Sequence, residues 1–152
     1  METSHNNSFV YIDSFRIIKA TMSHAEYVLK GSVITSDITR RYSDFYLLRQ
    51  KIAARWPCVF IPELPPKKAT GNLEKEFLIQ RMRLLNHFLD RLTEISDIFN
   101  AEEVQTFFLP GDNIKSLYSK MHSQKYTEIA KKYKDNTEGY SEIVIFNIIY
   151  IV

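Results

Sequence analysis

Arg40-Arg41-Tyr42-Ser43-Asp44-Phe45 decides the reading of this chain. It closes a strand-like stretch, carries two adjacent guanidinium groups and passes directly into a run with helical spacing. Further on, Ile61-Pro62-Glu63-Leu64-Pro65-Pro66-Lys67 is a proline-stiffened segment ending in a cation, and Arg81 follows in a helical pattern otherwise apolar on that side. An arginine pair and a lysine suit phosphate oxygens, while Tyr42 offers a flat apolar face to a ring. The three pieces predict a pocket for an anionic, ring-shaped ligand, and a phosphorylated sugar headgroup fits that description best.

Upstream of the hexapeptide, Phe9 to Ala20 and Ala25 to Thr35 are rich in β-branched and aromatic residues, with the polar Thr21-Met22-Ser23-His24 between them. They predict a hairpin. In the second run Tyr27, Leu29 and Val33 alternate with Glu26, Lys30 and Ser32, the pattern of a half-buried strand, and Gly31 is the candidate bulge. Ser36-Asp37 turns the chain into a short third strand ending at Arg41.

Downstream, Ser43 is the expected N-cap of a helix whose buried positions are Phe45, Leu48, Ile52 and Trp56, stopped by Pro57. Pro62, Pro65 and Pro66 hold the next segment extended and present Lys67 on a stiff loop. Asn72 is the expected cap of a second helix, with Glu74 and Glu76 at its positive end and Phe77, Leu84, Leu85, Phe88 and Leu92 as its buried stripe. Arg81 falls on that stripe. A charge there is costly unless it is paired with a carboxylate or reaches a polar cleft. Asn100-Ala101-Glu102-Glu103 predicts a further short helix through Val104, Phe107 and Phe108, ended by Pro110-Gly111.

The expected partition is a flexible segment over 1–8, a binding domain over 9–112, an amphipathic helical extension over 113–135 and a tail without assigned structure over 136–152. Within the extension, lysine-rich Ser116 to Tyr133 places Leu117, Met121, Tyr126, Ile129 and Ala130 at helical spacing. The apolar run Ile143 to Val152 is too short for a membrane span, which takes roughly 20 residues. Its composition suits a strand or a sticky exposed segment instead.

The formal charge is only +2, so acids nearly match bases and an anion site must arise from local clustering. Cys58 is the sole cysteine, which excludes an internal disulfide and fits a reducing compartment. The polar start, Met1 to Ser8, has no secretory pattern, so the cytosol is expected. His5, His24, His87 and His122 are dispersed without metal-ligand spacing, no histidine lies near Cys58 in sequence, and no glycine-rich phosphate loop is present. Neither catalysis, a cofactor nor a metal is expected. The basic residues lack an accompanying aromatic stacking series, which argues against nucleic acid.

In order and spacing, the Arg40 to Phe45 hexapeptide, the apolar-Pro-x-x-Pro-x-Lys loop and Arg81 resemble the phox-homology (PX) domain of sorting nexins and related trafficking proteins. The resemblance covers roughly Phe9 to Pro110. It implies an α+β fold, a three-stranded antiparallel sheet packed on a helical subdomain, here with an extra C-terminal helix. It also implies that Arg41 clamps the ligand's 3-phosphate, Tyr42 packs on the inositol ring, Lys67 meets the bridging 1-phosphate and Arg81 bonds the free ring hydroxyls. Arg40 serves either the fold or the outer electrostatic field, and Lys68 either strengthens attraction to an anionic bilayer or is a solvated loop lysine. The implied ligand is phosphatidylinositol 3-phosphate, with peripheral recruitment to the cytosolic face of endosomal membranes and a role in sorting. The loop from Lys68 to Asn72 has little apolar content for insertion.

Other readings remain open on the sequence. Pro62-x-x-Pro65-x-Lys67 also matches a ligand core for Src-homology-3 domains. The same fold can serve as a protein-interaction scaffold for trafficking partners. The chain also reads as the front of a larger sorting nexin whose membrane-curving BAR domain would need long helices beyond the residues here.

Overall fold

Alternating apolar residues and a polar turn build the sheet that positions the hexapeptide. In the computed structural model, which describes residues 8–131 apart from 58, 69, 112, 123 and 126, strands β1 (Val10–Ile18), β2 (His24–Gly31) and β3 (Ile38–Arg41) form one antiparallel sheet in the order β1-β2-β3. Helices follow at α1 (Tyr42–Arg55), α2 (Lys75–Thr93), α3 (Ser96–Phe99), α4 (Glu102–Phe107) and α5 (Ile114–Lys120). Val10, Ile12, Tyr27, Leu29 and Ile38 from the strands share one buried core with Phe45, Leu48 and Ile52 of α1 and Leu85, Phe88 and Leu92 of α2. The fold is α+β, as the resemblance implies.

The irregularity expected at Gly31 lies instead on the partner strand, where the register slips between Ile12 and Ser14. Beside it the Asn86 side chain of α2 pairs with the Ile12 backbone: its oxygen accepts the Ile12 N–H at 2.6 Å and its amide donates to the Ile12 carbonyl at 3.2 Å. Gly31 has a different reason to be glycine. A Cβ at that position would stand 2.1 Å from the Phe9 carbonyl oxygen.

Helix starts differ from expectation because capping is done by other groups. α1 begins at Tyr42, one residue before Ser43, since the Asp44 carboxylate accepts the Arg41 N–H at 2.8 Å. α2 begins at Lys75 rather than after Asn72. Gly71, at φ 64°, makes a left-handed turn closed by Glu74 N–H to the Gly71 carbonyl at 3.3 Å, and the helix ladder opens only with Leu78 N–H to the Glu74 carbonyl. The buried stripe of α2 runs through Leu78, Arg81, Leu85, Phe88, Leu89 and Leu92; Leu84 lies off it and is 49% exposed, and Phe77 is half-buried. Asn100 does not cap α4. Its amide donates to the Ser96 carbonyl and closes the short α3, while α4 starts after Ala101 without a side-chain cap.

The core does not close at Gly111. Ile114 and Tyr118 of α5 join it, and the Tyr118 hydroxyl donates to the Glu103 carbonyl at 2.9 Å. The continuous helix expected over Ser116 to Tyr133 is broken: Asn113 caps α5, the helix ends at Lys120, Met121 is extended, and a separate turn of helix follows at 127–131. Cations of α1 hold the chain at the break: Lys51 donates to the Tyr118 carbonyl in the last turn of α5 at 3.0 Å, and Arg55 to the His122 carbonyl just beyond it at 2.7 Å. The expectations for 1–7 and 132–152, including the apolar tail, fall outside the described residues.

Candidate functional site

A loop rich in proline has few N–H donors, so its carbonyls must find donors elsewhere. Three side chains supply them. Arg49 of α1 donates to the Pro62 carbonyl at 2.8 Å, the Tyr42 hydroxyl to that of Pro65, and Arg81 of α2 to that of Pro66 at 3.3 Å. The loop is thereby tied to both helices, and Lys67 and Lys68 follow at its end.

A cleft of about 380 Å³ opens between this loop end, the start of α1, α2 and the β1–β2 turn. Arg41, Tyr42, Lys67, Lys68 and Arg81 all line it, with His24 and Tyr27 from β2 and Met22 at its rim. Five of the six residues singled out from sequence therefore meet at one place. Arg40 does not. It is 2% exposed and points away, donating from Nε to the Phe107 carbonyl at 3.1 Å, from Nη1 to the Gly111 and Thr39 carbonyls, and from Nη2 to that of Leu109. Of the two roles open to Arg40, the outer-field role is corrected by this burial; it fastens the end of α4 to the sheet. The cause is the strand period, which sends neighbouring side chains to opposite faces.

Arg81 is 6% exposed, its guanidinium 4.1 Å from the Tyr42 ring centroid and 4.3 Å from that of Phe77. It meets two rings, the Pro66 carbonyl and the neighbouring Tyr27 hydroxyl; among the described residues no carboxylate pairs with it. Arg81 Nε and the Tyr27 hydroxyl are both buried, and no hydrogen bond of ordinary geometry joins either to a partner. Burial pushes the Tyr27 and Tyr42 hydroxyls above the ordinary tyrosine value against the opposing pull of Arg81, so both stay protonated.

Arg41 has a 54% exposed side chain and stands over Glu26, its register partner on β2, with Nε 3.9 Å from the carboxylate. Glu26 is also the register partner of Arg16, which binds it at 3.0 Å, and His24 Nε2 lies 3.4 Å away. Burial pushes the Glu26 carboxyl up, but the hydrogen bonds and charges of Arg16 and His24 outweigh it and leave it below the ordinary value. Lys67 Nζ sits 3.8 Å over the Tyr46 ring; Lys68 Nζ sits 4.5 Å over that of Phe77 and 3.4 Å from Glu74. The rings restrain both ammonium groups without neutralising them.

Sequence reasoning missed His24 and Glu26. The signal for Glu26 was its place on the polar side of a strand flanked by arginines on both neighbours; the signal for His24 was its position closing the hairpin turn. A second, larger groove of about 650 Å³ runs along the same loop beside the outer side of α2, lined mainly by apolar residues that include Phe60, Leu64 and the exposed Leu84. Among the described residues, no group of three or more His, Cys, Asp and Glu is placed to hold a metal ion.

The family model of the PX domain matches residues 29–110, a span that contains Arg41, Tyr42, the proline loop and Arg81. The chain belongs to the PX domain family. This PX domain is 32% identical over 117 residues to the PX domain-containing protein kinase-like protein of Mus musculus, covering 74% of the chain and 18% of that relative. It is 31% identical over 88 residues to human sorting nexin-8, covering 58% of the chain and 18% of that protein. The chain thus spans less than a fifth of these relatives. Among solved structures it resembles a designed CISK-PX domain, with 30% identity, a TM-score of 0.56 and coverage of 65% of the chain and 96% of the other. It also resembles the mouse SNX19 PX domain with bound sulphate ion, at 25% identity and a TM-score of 0.51, covering 66% of the chain and 93% of the other. PX domains are phosphoinositide-binding modules of sorting nexins and related trafficking proteins, and this chain is sorting-nexin-like. No helix among the described residues is long and apolar enough to cross a membrane.

Proposed function

We propose that this PX domain recognises phosphatidylinositol 3-phosphate and recruits its protein peripherally to the cytosolic face of endosomal membranes, where it serves sorting and vesicle trafficking. The observation that carries the reading is the convergence of Arg41, Lys67 and Arg81 around the Tyr42 ring in one cleft. Arg41, from the strand end, and Lys67, from the proline loop, reach the cleft from different elements, and in this reading address the 3-phosphate and the bridging 1-phosphate respectively. Tyr42 supplies the surface for the inositol ring. Arg81, buried with an Nε that has no acceptor, suits ring hydroxyls, which accept hydrogen bonds without bringing a second full charge into the interior. The mouse SNX19 PX domain, of the same fold, has a bound sulphate ion, an oxyanion of the class this reading assigns to the cleft.

We assign the lipid-recognising unit to 9–112, with 113–135 as an extension of which Ile114 and Tyr118 of α5 pack on the core. Binding is non-enzymatic in this reading, and nothing in the cleft calls for a cofactor. A liposome panel covering all phosphoinositides tests it: the full chain prefers phosphatidylinositol 3-phosphate, and equal binding to every phosphoinositide, or none, overturns the assignment.

A further inference from the structure

The groove along the outer side of α2 has an apolar floor that the described residues leave uncovered. Phe60, Leu64, Leu84 and Ile95 line it, with Phe60 78% and Leu84 49% exposed. At about 650 Å³ it is larger than the basic cleft, and neither Arg41, Lys67 nor Arg81 lines it. Its charges are turned to solvent or matched: Glu63 and His87 are exposed, and Arg91 binds Glu94 at 2.9 Å. An occupant must therefore be apolar and needs no charge of its own.

The proline loop decides how an occupant is held. Its prolines offer no N–H, and the carbonyls of Pro62, Pro65 and Pro66 are taken by Arg49, Tyr42 and Arg81. A segment laid along it finds few backbone partners and is held by side chains seated against Phe60 and Leu84.

The chain carries such a segment. Residues 143–152 read Ile-Val-Ile-Phe-Asn-Ile-Ile-Tyr-Ile-Val, a run without charge, and 132–142 join it to the described fold through a mostly polar stretch. Left in water, a run of that composition is an aggregation hazard. The connecting residues span at most about 40 Å when extended, and about 18 Å as a flexible coil. They leave the fold near the right place: Arg55 at the end of α1 donates to the His122 carbonyl at 2.7 Å, and Phe60 follows shortly after that same helix end. A tether of this length holds the run at an effective concentration on the order of mM.

We propose that 143–152 is the occupant of this groove, docked in cis over Phe60, Leu64 and Leu84, which hides both apolar surfaces from water at once. No residue of the headgroup clamp takes part, so the docking stands whether or not the cleft holds a phosphoinositide.

The test compares the full chain with a chain ending at Glu142, in the absence of lipid, each with and without Leu84→Asp. Truncation and Leu84→Asp each lower the Tm of the full chain by about 4 to 8 °C, the loss of a tethered contact. In the truncated chain Leu84→Asp shifts it by about 2 °C or less, because Leu84 is then an open surface position. Where Leu84→Asp does not fold, Phe60→Asp, at a more exposed position, repeats the comparison. A maleimide labels Leu84→Cys, distinguished from Cys58 by peptide mass, at least ~10-fold more slowly in the full chain than in the truncated one. Equal Tm shifts in the two chains, or equal labelling rates, overturn the proposal. Protection that vanishes on dilution, together with a dimer in sedimentation, makes the occupant the run of a second copy and overturns docking in cis.

Discussion

The Arg81 guanidinium lies over the Tyr42 ring at 4.1 Å, although the two residues come from different helices and neither pairs with a carboxylate there. Each also donates to the proline loop, Tyr42 to the Pro65 carbonyl and Arg81 to that of Pro66. The stack therefore sets three things at once: the tilt of the aromatic face, the reach of the cation and the position of the loop that carries Lys67. Such cross-bracing reduces the ordering cost that a ligand would otherwise impose on long side chains.

Arg81→Gln is expected to weaken phosphatidylinositol 3-phosphate binding and to flatten preference across a phosphoinositide panel, because glutamine cannot span the Tyr42 stack and still reach ring hydroxyls. Measuring ligand ranking and thermal stability on one preparation separates the roles. A fall in melting temperature with unchanged ranking would show that Arg81 only braces the loop.

Arg41→Ala is expected to lower affinity for phosphatidylinositol 3-phosphate vesicles by at least ~10-fold, since a guanidinium makes two charge-assisted bonds to one phosphate. Its exposed side chain and long 3.9 Å contact with Glu26 hold little of the fold together, so cooperative melting near wild type is expected. Retained vesicle binding by a folded variant would sink the assignment.

Glu26 gives the same site a pH dependence. Its carboxyl sits below the ordinary value of about 4.5, so its contribution to stability is present above that pH and disappears as pH falls through the lowered folded value. Arg16, His24 and Arg41 face it, and Asp44 shares its surroundings with a carboxyl that burial pushes up, an opposite and partly offsetting dependence. Glu26→Gln is expected to flatten the acid limb of a denaturant-stability profile. At neutral pH it should also tighten vesicle binding by roughly 2- to 5-fold, by removing a negative charge beside the phosphate clamp. Weaker binding would show instead that Glu26 is needed to aim Arg41.

Most of the site's address was legible because its chemistry sits in contiguous runs. Arg40 to Phe45 and Ile61 to Lys67 each read as a unit, and Arg81 stood out as a charge on an apolar stripe. The reach of the core was not legible, because it depends on partners distant in sequence. Arg55 and Trp56 meet Glu103 inside the protein, and Lys51 and Arg55 hold the carbonyls of Tyr118 and His122 on either side of the break after α5. Periodicity within 116–133 carries no trace of those competing donors. Helix starts failed for a similar reason: Asp44 and the Gly71 turn set them, not the Ser43 and Asn72 that local preference favours.

Lys67 and Lys68 are expected to separate by assay. Lys67→Ala should reduce binding to both the soluble headgroup and vesicles. Lys68 is already engaged by Glu74 and the Phe77 ring, so Lys68→Ala should cost vesicle association about 1 kcal/mol or less, with little change for the soluble headgroup. Titrating a short-chain soluble lipid into each variant decides; equal effects would contradict the division.

Arg40 offers the sharpest separation of fold from function within one dipeptide. Its buried guanidinium is shared among the carbonyls of Thr39, Phe107, Leu109 and Gly111, so removing it strands several acceptors in the interior and leaves a void the size of an arginine. Arg40→Ala is expected to lose roughly 3 to 5 kcal/mol of stability, which for a domain of this size lowers the melting temperature by about 10 °C or more. Arg40→Lys should recover only part of that, because a single ammonium cannot reproduce the planar fork. At a temperature where Arg40→Lys remains folded, its affinity for phosphatidylinositol 3-phosphate vesicles should stay within about 3-fold of wild type, less than 1 kcal/mol. Thermal melts paired with vesicle titrations over a range of salt concentrations make the measurement. Wild-type melting combined with weakened, more salt-sensitive binding would return Arg40 to the electrostatic role that its burial argues against.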